Sequence, residues 1–584
     1  MKYKYIKDIK DLPEFSPDYP VFADIESDGL YVNVRLIQYY QPETDPNVYV
    51  LDVDYFGEHP NQKTDDMIMQ LLGKTSDVKV KRQDIKKLHS KLWLVWWNGA
   101  YDMGTLRFSS AKVDDLWYMA KLALPKLGEY NLDVVTNYLY PTEDFYKGLD
   151  KKKLQKAKFK PGPLSEQQLR YSATDVYVMK KIWDKIADKV KEKSVYKLDA
   201  ANLDYAIQWQ QTGLKVDREI RSKEEKRVRE ELELVTAQLP EGLNVNSYKQ
   251  VRALLNSDKS DADYLIRKAN EGCKYSGLIL KKRELLKTLN FLENYDFDRI
   301  YSNYNPYGTR TGRWSAKGGD REDAGNLQQL PRKLKHIFGY SENSDRILIG
   351  ADLPTAELRL AAAIYVDDEM VNAFKNEIDL HKLTASKTMG KTPDEVTSDE
   401  RKKAKAENFG LLYGMGAEKF MLYAYSNYGI EMTLEEATQR RNNWLNLYKG
   451  IAKKQKEVKN KLYKDNSFMV STPLGRWVKP DTITDALNIP IQGAVAEISK
   501  LWIYYMWEEA QKEFGNSYVL PICNMVHDSI TLDIEEKYIE LFTNIIQRSQ
   551  AKAWKNYCNL DMIKVKDIPM EVEVGVSKHY GGAS

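Results

Sequence analysis

The hydrophobic pattern divides this chain into stretches of different period. Near the N-terminus, Val21-Phe-Ala-Asp-Ile-Glu-Ser-Asp-Gly-Leu30 predicts a short strand, with Asp24 and Glu26 two apart and so on one face. Leu92-Trp-Leu-Val-Trp-Trp97 is an unbroken apolar run and predicts a buried strand. It leads through Asn98-Gly99 into a predicted helix and places Asp102 at the strand's end. Tyr171-Ser-Ala-Thr-Asp175 lies in a helical stretch, and its first and last residues share a face. From about 191 to 300 the pattern is helical, rich in Lys, Glu and Leu. It breaks at Gln211–Asp217 and again at Asn244–Ser247 with Gln250, which by itself predicts a helical hairpin. Ile347-Leu-Ile-Gly-Ala-Asp352 predicts a second buried strand that ends on a carboxylate. Asn524–Asp533 is strand-like on both sides of His527-Asp528 and predicts a hairpin with that pair at its tip.

One predicted helix carries more than packing requires. Thr397 and Glu400 have the spacing of a capping box. Behind them Arg401, Lys405, Phe409 and Tyr413 recur at every fourth position and form one row on a single face. Two cations followed by two rings match the layout of a nucleoside triphosphate, and the positive end of the helix dipole lies at the cationic end. A basic amphipathic surface helix fits the row equally well. Gly410, Gly414 and Gly416 shift the balance, because glycine is costly in a helix that only has to be stable.

Composition narrows the class. With 584 residues and 42% hydrophobic content the chain can form two or three domains. The net charge is only +3, so a nucleic-acid binder of this composition has to segregate its charge. Lysines do gather between Lys147 and Lys160 and between Lys449 and Lys464, although either run also fits a solvated face. Cys273, Cys523 and Cys558 are too widely separated for a disulfide framework or a zinc site, which fits a reducing cytoplasm. No apolar run approaches the roughly 18 residues of a membrane span, and Met1–Lys10 lacks the apolar centre of a signal peptide.

Taken together, these motifs resemble two linked enzyme families. Three carboxylate-bearing segments in one apolar-rich region can build a two-metal site. Asp24, Glu26, Asp102, Tyr171 and Asp175 resemble the 3′–5′ exonuclease of proofreading polymerases, and Asp114-Asp115-Leu116 with the helix behind it also looks like that family. The resemblance implies a ribonuclease-H-like exonuclease domain over 1–190, in which the four carboxylates hold metal and Tyr171 positions the attacking water. Arg-x3-Lys-x3-Phe-Gly-x2-Tyr-Gly resembles the fingers helix of family A DNA polymerases. Asp352-Leu-Pro-Thr-Ala-Glu357 resembles that family's first catalytic motif, and Val526-His527-Asp528 resembles its last. Pro354, Thr355 and Ser529 depart from the usual pattern, where serine, glutamine and glutamate are common.

The implied architecture is a multidomain α/β chain in which the exonuclease precedes a right-hand polymerase. It has a connector and thumb over 191–300, a palm over 301–375 and 471–584, and fingers over 376–470. In that arrangement Asp352, Asp528 and the Leu353 carbonyl bind two Mg²⁺ ions, for which Mn²⁺ can substitute. Glu357 closes the sugar pocket against a 2′-hydroxyl. His381, Arg401, Lys405, Phe409 and Tyr413 hold the incoming deoxynucleoside triphosphate. Arg313 in Thr311-Gly-Arg-Trp-Ser315, Asn326, Gln328, Asn488 and Gln492 in the stretch Asn488–Gly493 that is expected to open another helix, and His527 contact primer–template DNA. The expected enzyme is a monomeric, stand-alone DNA polymerase of bacteriophage type, working in the host cytoplasm with no membrane contact. A helicase and a single-strand-binding protein are expected partners. No 5′-nuclease domain or organelle-targeting peptide is expected ahead of Asp24. A pure nuclease would lack Asp352 or Asp528, a non-catalytic scaffold would tolerate loss of the exonuclease carboxylates, and Glu357 argues against a single-subunit RNA polymerase.

Overall fold

The computed structural model describes residues 1–28, 34–56, 82–157, 159 and 162–582. Gly29 and Leu30 of the first predicted strand, and Lys158 and Lys160 of the first lysine run, lie outside the described residues.

The N-terminal part is built on a mixed sheet of β1 (Lys2–Ile6), β2 (Val21–Ser27), β3 (Val34–Tyr40), β4 (Asn47–Phe56), β5 (Trp93–Trp96) and β6 (Lys112–Asp115), in the spatial order β1-β4-β3-β2-β5-β6. β2 runs antiparallel to β3 and parallel to β5, which puts it at the centre. Val21, Phe22 and Ala23 on it are fully buried. A near-continuous apolar start is what a strand covered on both faces requires. The helix Glu166–Val190 lies across β2, β3 and β4. A capping box between Ser165 and Gln168 starts it, and its buried side carries Tyr171, Asp175, Met179 and Ile182.

Beyond residue 191 the predicted helical hairpin is present. Arg218–Thr236 packs on Lys274–Asn294, and two short helices, Tyr248–Leu255 and Ala262–Asn270, sit between them in sequence around a small core of their own. The second half centres on a four-stranded antiparallel sheet in the order Ile522–Val526, Ser529–Glu535, Arg346–Asp352, Glu573–Ser577. The helix Ile483–Phe514 packs against both Ile539–Tyr557 and Ser194–Trp209.

Two predicted helix limits are corrected. Asn488–Gly493 does not open a helix. Thr482 caps the Ile483–Phe514 helix by accepting from the Asp485 amide at 3.0 Å, and Pro490 lies in its interior. A proline more often marks a first turn, and that preference suggests the wrong start. The Arg401 row is also shorter than its spacing predicts. Its helix, Ser398–Leu411, keeps the Thr397–Glu400 capping box but stops before Tyr413. Gln455 Nε2 donates to the Leu411 and Leu412 carbonyls at 2.8 and 3.2 Å, and Gly414 turns the chain away with φ of 77°.

A buried polar network joins the two halves. Asp199, on the Ser194–Trp209 helix, accepts from Arg476 at 2.5 Å and also from Lys500 and the Tyr118 hydroxyl. Burial opposes the charge on Asp199, but Lys500 and Arg476 together hold its carboxyl below the usual range. Nearby, Glu497 accepts from Thr472, from Tyr557 at 2.6 Å and from the Leu474 amide at 3.0 Å. Tyr307 stacks on Tyr118 at 4.2 Å and donates its hydroxyl to Asp115 at 2.6 Å.

Candidate active sites

The first centre forms where β2 meets the Glu166–Val190 helix. Asp24, Glu26 and Asp175 each bring a carboxylate oxygen within 4.8 Å of the others, the one such acidic cluster among the described residues. They line a cavity of about 270 Å³ together with Tyr171, Lys151 and Trp97. Burial first, then repulsion from the neighbouring carboxylates, pushes Asp24 and Glu26 well above the usual range. Burial likewise pushes Asp175 up to about 6, although Lys151 and the hydroxyls of Tyr146 and Tyr171 work against it. Ser172 donates to Glu26 at 3.1 Å. Lys151 lies 3.4 Å over the Tyr146 ring and pairs with Asp133.

Asp102 is displaced from its expected place. It lies in the first turn of the Gly99–Leu106 helix rather than at a strand end, because Asn98 takes a left-handed φ of 65° and turns the chain directly into the helix. The Asp115 carboxylate fixes that turn by accepting from the Gly99 amide at 2.8 Å. Asp102 is buried outside the acidic cluster, and its Oδ2 has no hydrogen-bond partner. Burial, then Asp24 and Asp115, drives its carboxyl well above the usual range. An orphaned buried oxygen beside three crowded carboxylates is an arrangement that a hard divalent cation fits.

The second centre sits at the ends of the strands of the C-terminal sheet. Asp352 ends its strand directly opposite Glu573 in register. The neighbouring hairpin presents Asp528 from a two-residue turn, with Val526 paired to Ser529. His527, the first turn residue, has φ of 57°, a conformation that glycine usually supplies in such turns. Burial first, then Glu573, raises the Asp352 carboxyl, and burial, then Asp352, pushes Asp528 up to about 7. These like charges also call for a cation, although they do not close into a three-carboxylate cluster. The Leu353 carbonyl accepts from the Ala356 amide at 3.3 Å.

Glu357 is held from two sides, by the Arg313 guanidinium and by the Tyr413 hydroxyl. Tyr413 thus reaches the site from beyond the helix rather than from its face. Arg401 pairs with Asp379 at 2.7 Å, while Lys405 is exposed. His381 is buried, and its ring lies 5.8 Å from that of Phe409. Asn408 Oδ1 accepts from Trp444 at 2.7 Å and Thr384 at 3.0 Å, so its amide NH₂ faces His381 Nδ1 at 2.9 Å. Nδ1 is therefore the acceptor and the ring proton sits on Nε2. Burial lowers this histidine to about 4 and keeps it neutral.

The expected DNA contacts divide. Asn326 and Gln328 spend side-chain groups inside the protein. Asn326 accepts from the Gln328 amide at 3.0 Å, and Gln328 Nε2 donates to the Met525 carbonyl at 3.0 Å. Asn488 Oδ1 is buried without a partner, and Gln492 lies half-buried one turn further along the same helix. Burial first and Arg313 second hold the His527 imidazole below its usual range, against the pull of Glu357 and Asp352.

Sequence reasoning misses Glu573, Tyr146, Lys151, Ser172 and Asp115's structural role. Ser172 is adjacent to a singled-out residue and could have been read from it. Glu573 reaches the site only through strand register, and Tyr146 and Lys151 only through a turn and the short helix Lys151–Gln155 that follows it, neither of which leaves a local signal.

Residues 215–582 match the family model for DNA polymerase family A. DNA polymerase I of Aquifex aeolicus is 33% identical over 307 residues, covering 52% of this chain and 50% of that protein. The Bacillus caldotenax DNA polymerase I is 24% identical over 467 residues, covering 72% of this chain and 49% of that protein. The chain thus spans about half the length of the curated relatives it matches. The solved structure of the POL domain of Pol1 from M. smegmatis, in complex with DNA primer-template and dNTP, shares the fold with a TM-score of 0.69 at 18% identity, covering 96% of each chain. With a matched segment that takes in Asp352, the Arg401 helix and Asp528, the chain belongs to DNA polymerase family A.

Proposed function

We propose that this chain is a template-directed DNA polymerase that also carries a 3′–5′ proofreading exonuclease, with Mg²⁺ at both centres. The observation that carries the reading is the presence of two separate carboxylate centres, one on each sheet, in a member of a polymerase family. The three relatives named above are bacterial, and the bacteriophage source rests on the sequence reading alone. So do the domain limits set out there.

At the C-terminal centre, Asp352 and Asp528 would hold the metal, whose chemistry is to activate the primer 3′-hydroxyl and to bind the triphosphate oxygens. Lys405 is the exposed cation for the phosphates, and Arg401, anchored by Asp379, stands one turn away. Phe409 supplies the flat surface for sugar and base. His381 donates from Nε2 and adds no charge. Glu357, fixed by Arg313 and Tyr413, presents a rigid wall at the sugar. At the N-terminal centre, Asp24, Glu26, Asp102 and Asp175 would hold the metal that activates water against a phosphodiester. Tyr171 shares Asp175 with Tyr146, which keeps the carboxylate oriented.

The test is a 5′-labelled primer on a longer template with Mg²⁺, with and without deoxynucleotides. Lengthening is expected in one tube and shortening in the other. Asp24→Ala with Glu26→Ala should abolish shortening and spare extension, and Asp528→Ala should do the reverse. Parallel loss of both activities in both variants would overturn the assignment.

A further inference from the structure

The helix Gly99–Leu106, which carries Asp102, has no cap of its own. Asn98 precedes it with a left-handed φ of 65° and makes no side-chain hydrogen bond to its first turn. The amides left over at that end are satisfied from another strand instead. Asp115 Oδ2 accepts from the Gly99 amide at 2.8 Å, and Oδ1 accepts from the amides of Asn98 at 3.3 Å and Tyr118 at 3.0 Å. A carboxylate has about four acceptor positions, and the remaining one is taken by the Tyr307 hydroxyl at 2.6 Å. Tyr307 arrives from the C-terminal half, yet it is fully buried and packs in the N-terminal core. Its ring stacks on Tyr118 with the planes 8° apart, and Lys121 donates to its carbonyl at 3.2 Å.

Asp115 is the joint between that hydroxyl and Asp102. Burial raises its carboxyl, and the Tyr307 hydroxyl is the largest of the influences that work against the rise. Asp102 Oδ2 has no hydrogen-bond partner, so that oxygen is aimed by the helix start that Asp115 fixes. We infer that Tyr307 is a positioning residue for the N-terminal centre, acting through Asp115 on the start of the Gly99–Leu106 helix and so on the place of Asp102 beside Asp24. This rests on the exonuclease reading above and adds to it that one of the four carboxylates is set from the C-terminal half. A ring stacked on Tyr118, with its hydroxyl and its carbonyl both bonded, is stiff enough for that task. Stiffness matters because groups that orient a ligand oxygen tune how well it holds a cation.

The experiment compares the full chain as wild type, Tyr307→Phe, Asp115→Asn and the double variant. Phenylalanine keeps the stack on Tyr118 and removes only the hydroxyl. Amide exchange over residues 97–103 reports the helix start directly. Mn²⁺ binding followed by paramagnetic resonance, in chains that also carry Asp352→Ala and Asp528→Ala, reports the N-terminal centre alone. Degradation of a 5′-labelled single-stranded oligothymidylate at varied Mg²⁺ gives kcat and KM. Tyr307→Phe should speed exchange at the Gly99 amide. It should weaken Mn²⁺ binding and lower kcat, each by about tenfold, and leave the KM for the strand and the rate of primer extension unchanged. Added to Asp115→Asn it should have no further effect, as expected of a residue that acts through Asp115. A lower thermal midpoint with exchange and Mn²⁺ binding as in wild type would reduce Tyr307 to packing and overturn the proposal, and so would additive effects of the two substitutions. A wild type that binds Mn²⁺ but never degrades the strand would overturn the exonuclease reading, while exchange and Mn²⁺ binding still decide the place of Tyr307.

Discussion

At the scale of single residues, the C-terminal centre is tuned by what touches each carboxylate. Glu357 owes its position to Arg313 and Tyr413, so loosening either should act on the same property. Glu357→Ala is expected to raise ribonucleotide use relative to deoxynucleotide use. Tyr413→Phe should move it in the same direction by less, since a charge-assisted hydrogen bond of this type contributes about 1.5–3 kcal/mol and the arginine remains. The ratio of kcat/KM for the two sugars measures both. Asp528 gives a pH-dependent case. Its carboxyl is pushed up to about 7 from an ordinary 3.8, so its contribution to stability is fully present below 3.8 and is lost as the pH rises through 7. Asp528→Asn should therefore stabilise the metal-free protein at pH 8 by about 1–4 kcal/mol, at about 1.4 kcal/mol per pH unit, and so raise its melting temperature, and should do so by roughly a third as much at pH 5. Added Mg²⁺ should narrow the difference at pH 8. Equal gaps at both pH values would place Asp528 outside this electrostatic account. The place of these two carboxylates in the fold was legible in the sequence, because Asp352 ends an apolar run and Asp528 interrupts one. Their settings were not. Glu573 raises Asp352 from a strand that follows it by more than two hundred residues, and no local pattern announces that pairing.

At the scale of elements, periodicity worked where one face is buried and failed where an end is decided by a distant partner. The hairpin around His527-Asp528 was legible as two alternating runs, and so was the strand ending at Asp352. The end of the Arg401 helix was not, because Gln455 and Gly414 terminate it two residues before the spacing runs out. Asp102 was misplaced for a similar reason, since the turn at Asn98 is stabilised by Asp115 from another strand. The hairpin carries a testable cost. His527 holds a left-handed conformation that disfavours a side chain by roughly 1–2 kcal/mol. Glycine at that position should stabilise the protein by about 0.5–1.5 kcal/mol in chemical denaturation. Extension by His527→Gly should nonetheless slow, because strain retained beside Asp528 is retained for the side chain it presents. A variant that loses both stability and activity would show that the turn is not strained.

At the scale of the whole molecule, two sheets with two acidic centres are held together by a wall that belongs to neither alone. The Ser194–Trp209 helix sits in that wall. One side buries Val195 and Tyr196 in the N-terminal core, and the other stacks Tyr205 on Trp507 at 4.4 Å and packs Trp209 against Tyr304 at a tilt, with ring centres 4.5 Å apart. This matters for anyone who wants the C-terminal half as a separate reagent. The segment shared with the family begins at 215, and a gene trimmed there looks natural on grounds of likeness. Such a fragment would discard Asp199 together with the aromatic cover over Tyr304 and Trp507, and strip Lys500 and Arg476 of their shared counter-charge. A fragment beginning at 191 keeps all of these and exposes only the helix's outer side. Expressed side by side and run on a sizing column, the longer piece should elute as a monomer and the shorter one should aggregate. The practical start of the C-terminal half is therefore set by where its buried charge is neutralised, about two dozen residues ahead of where its ancestry becomes readable.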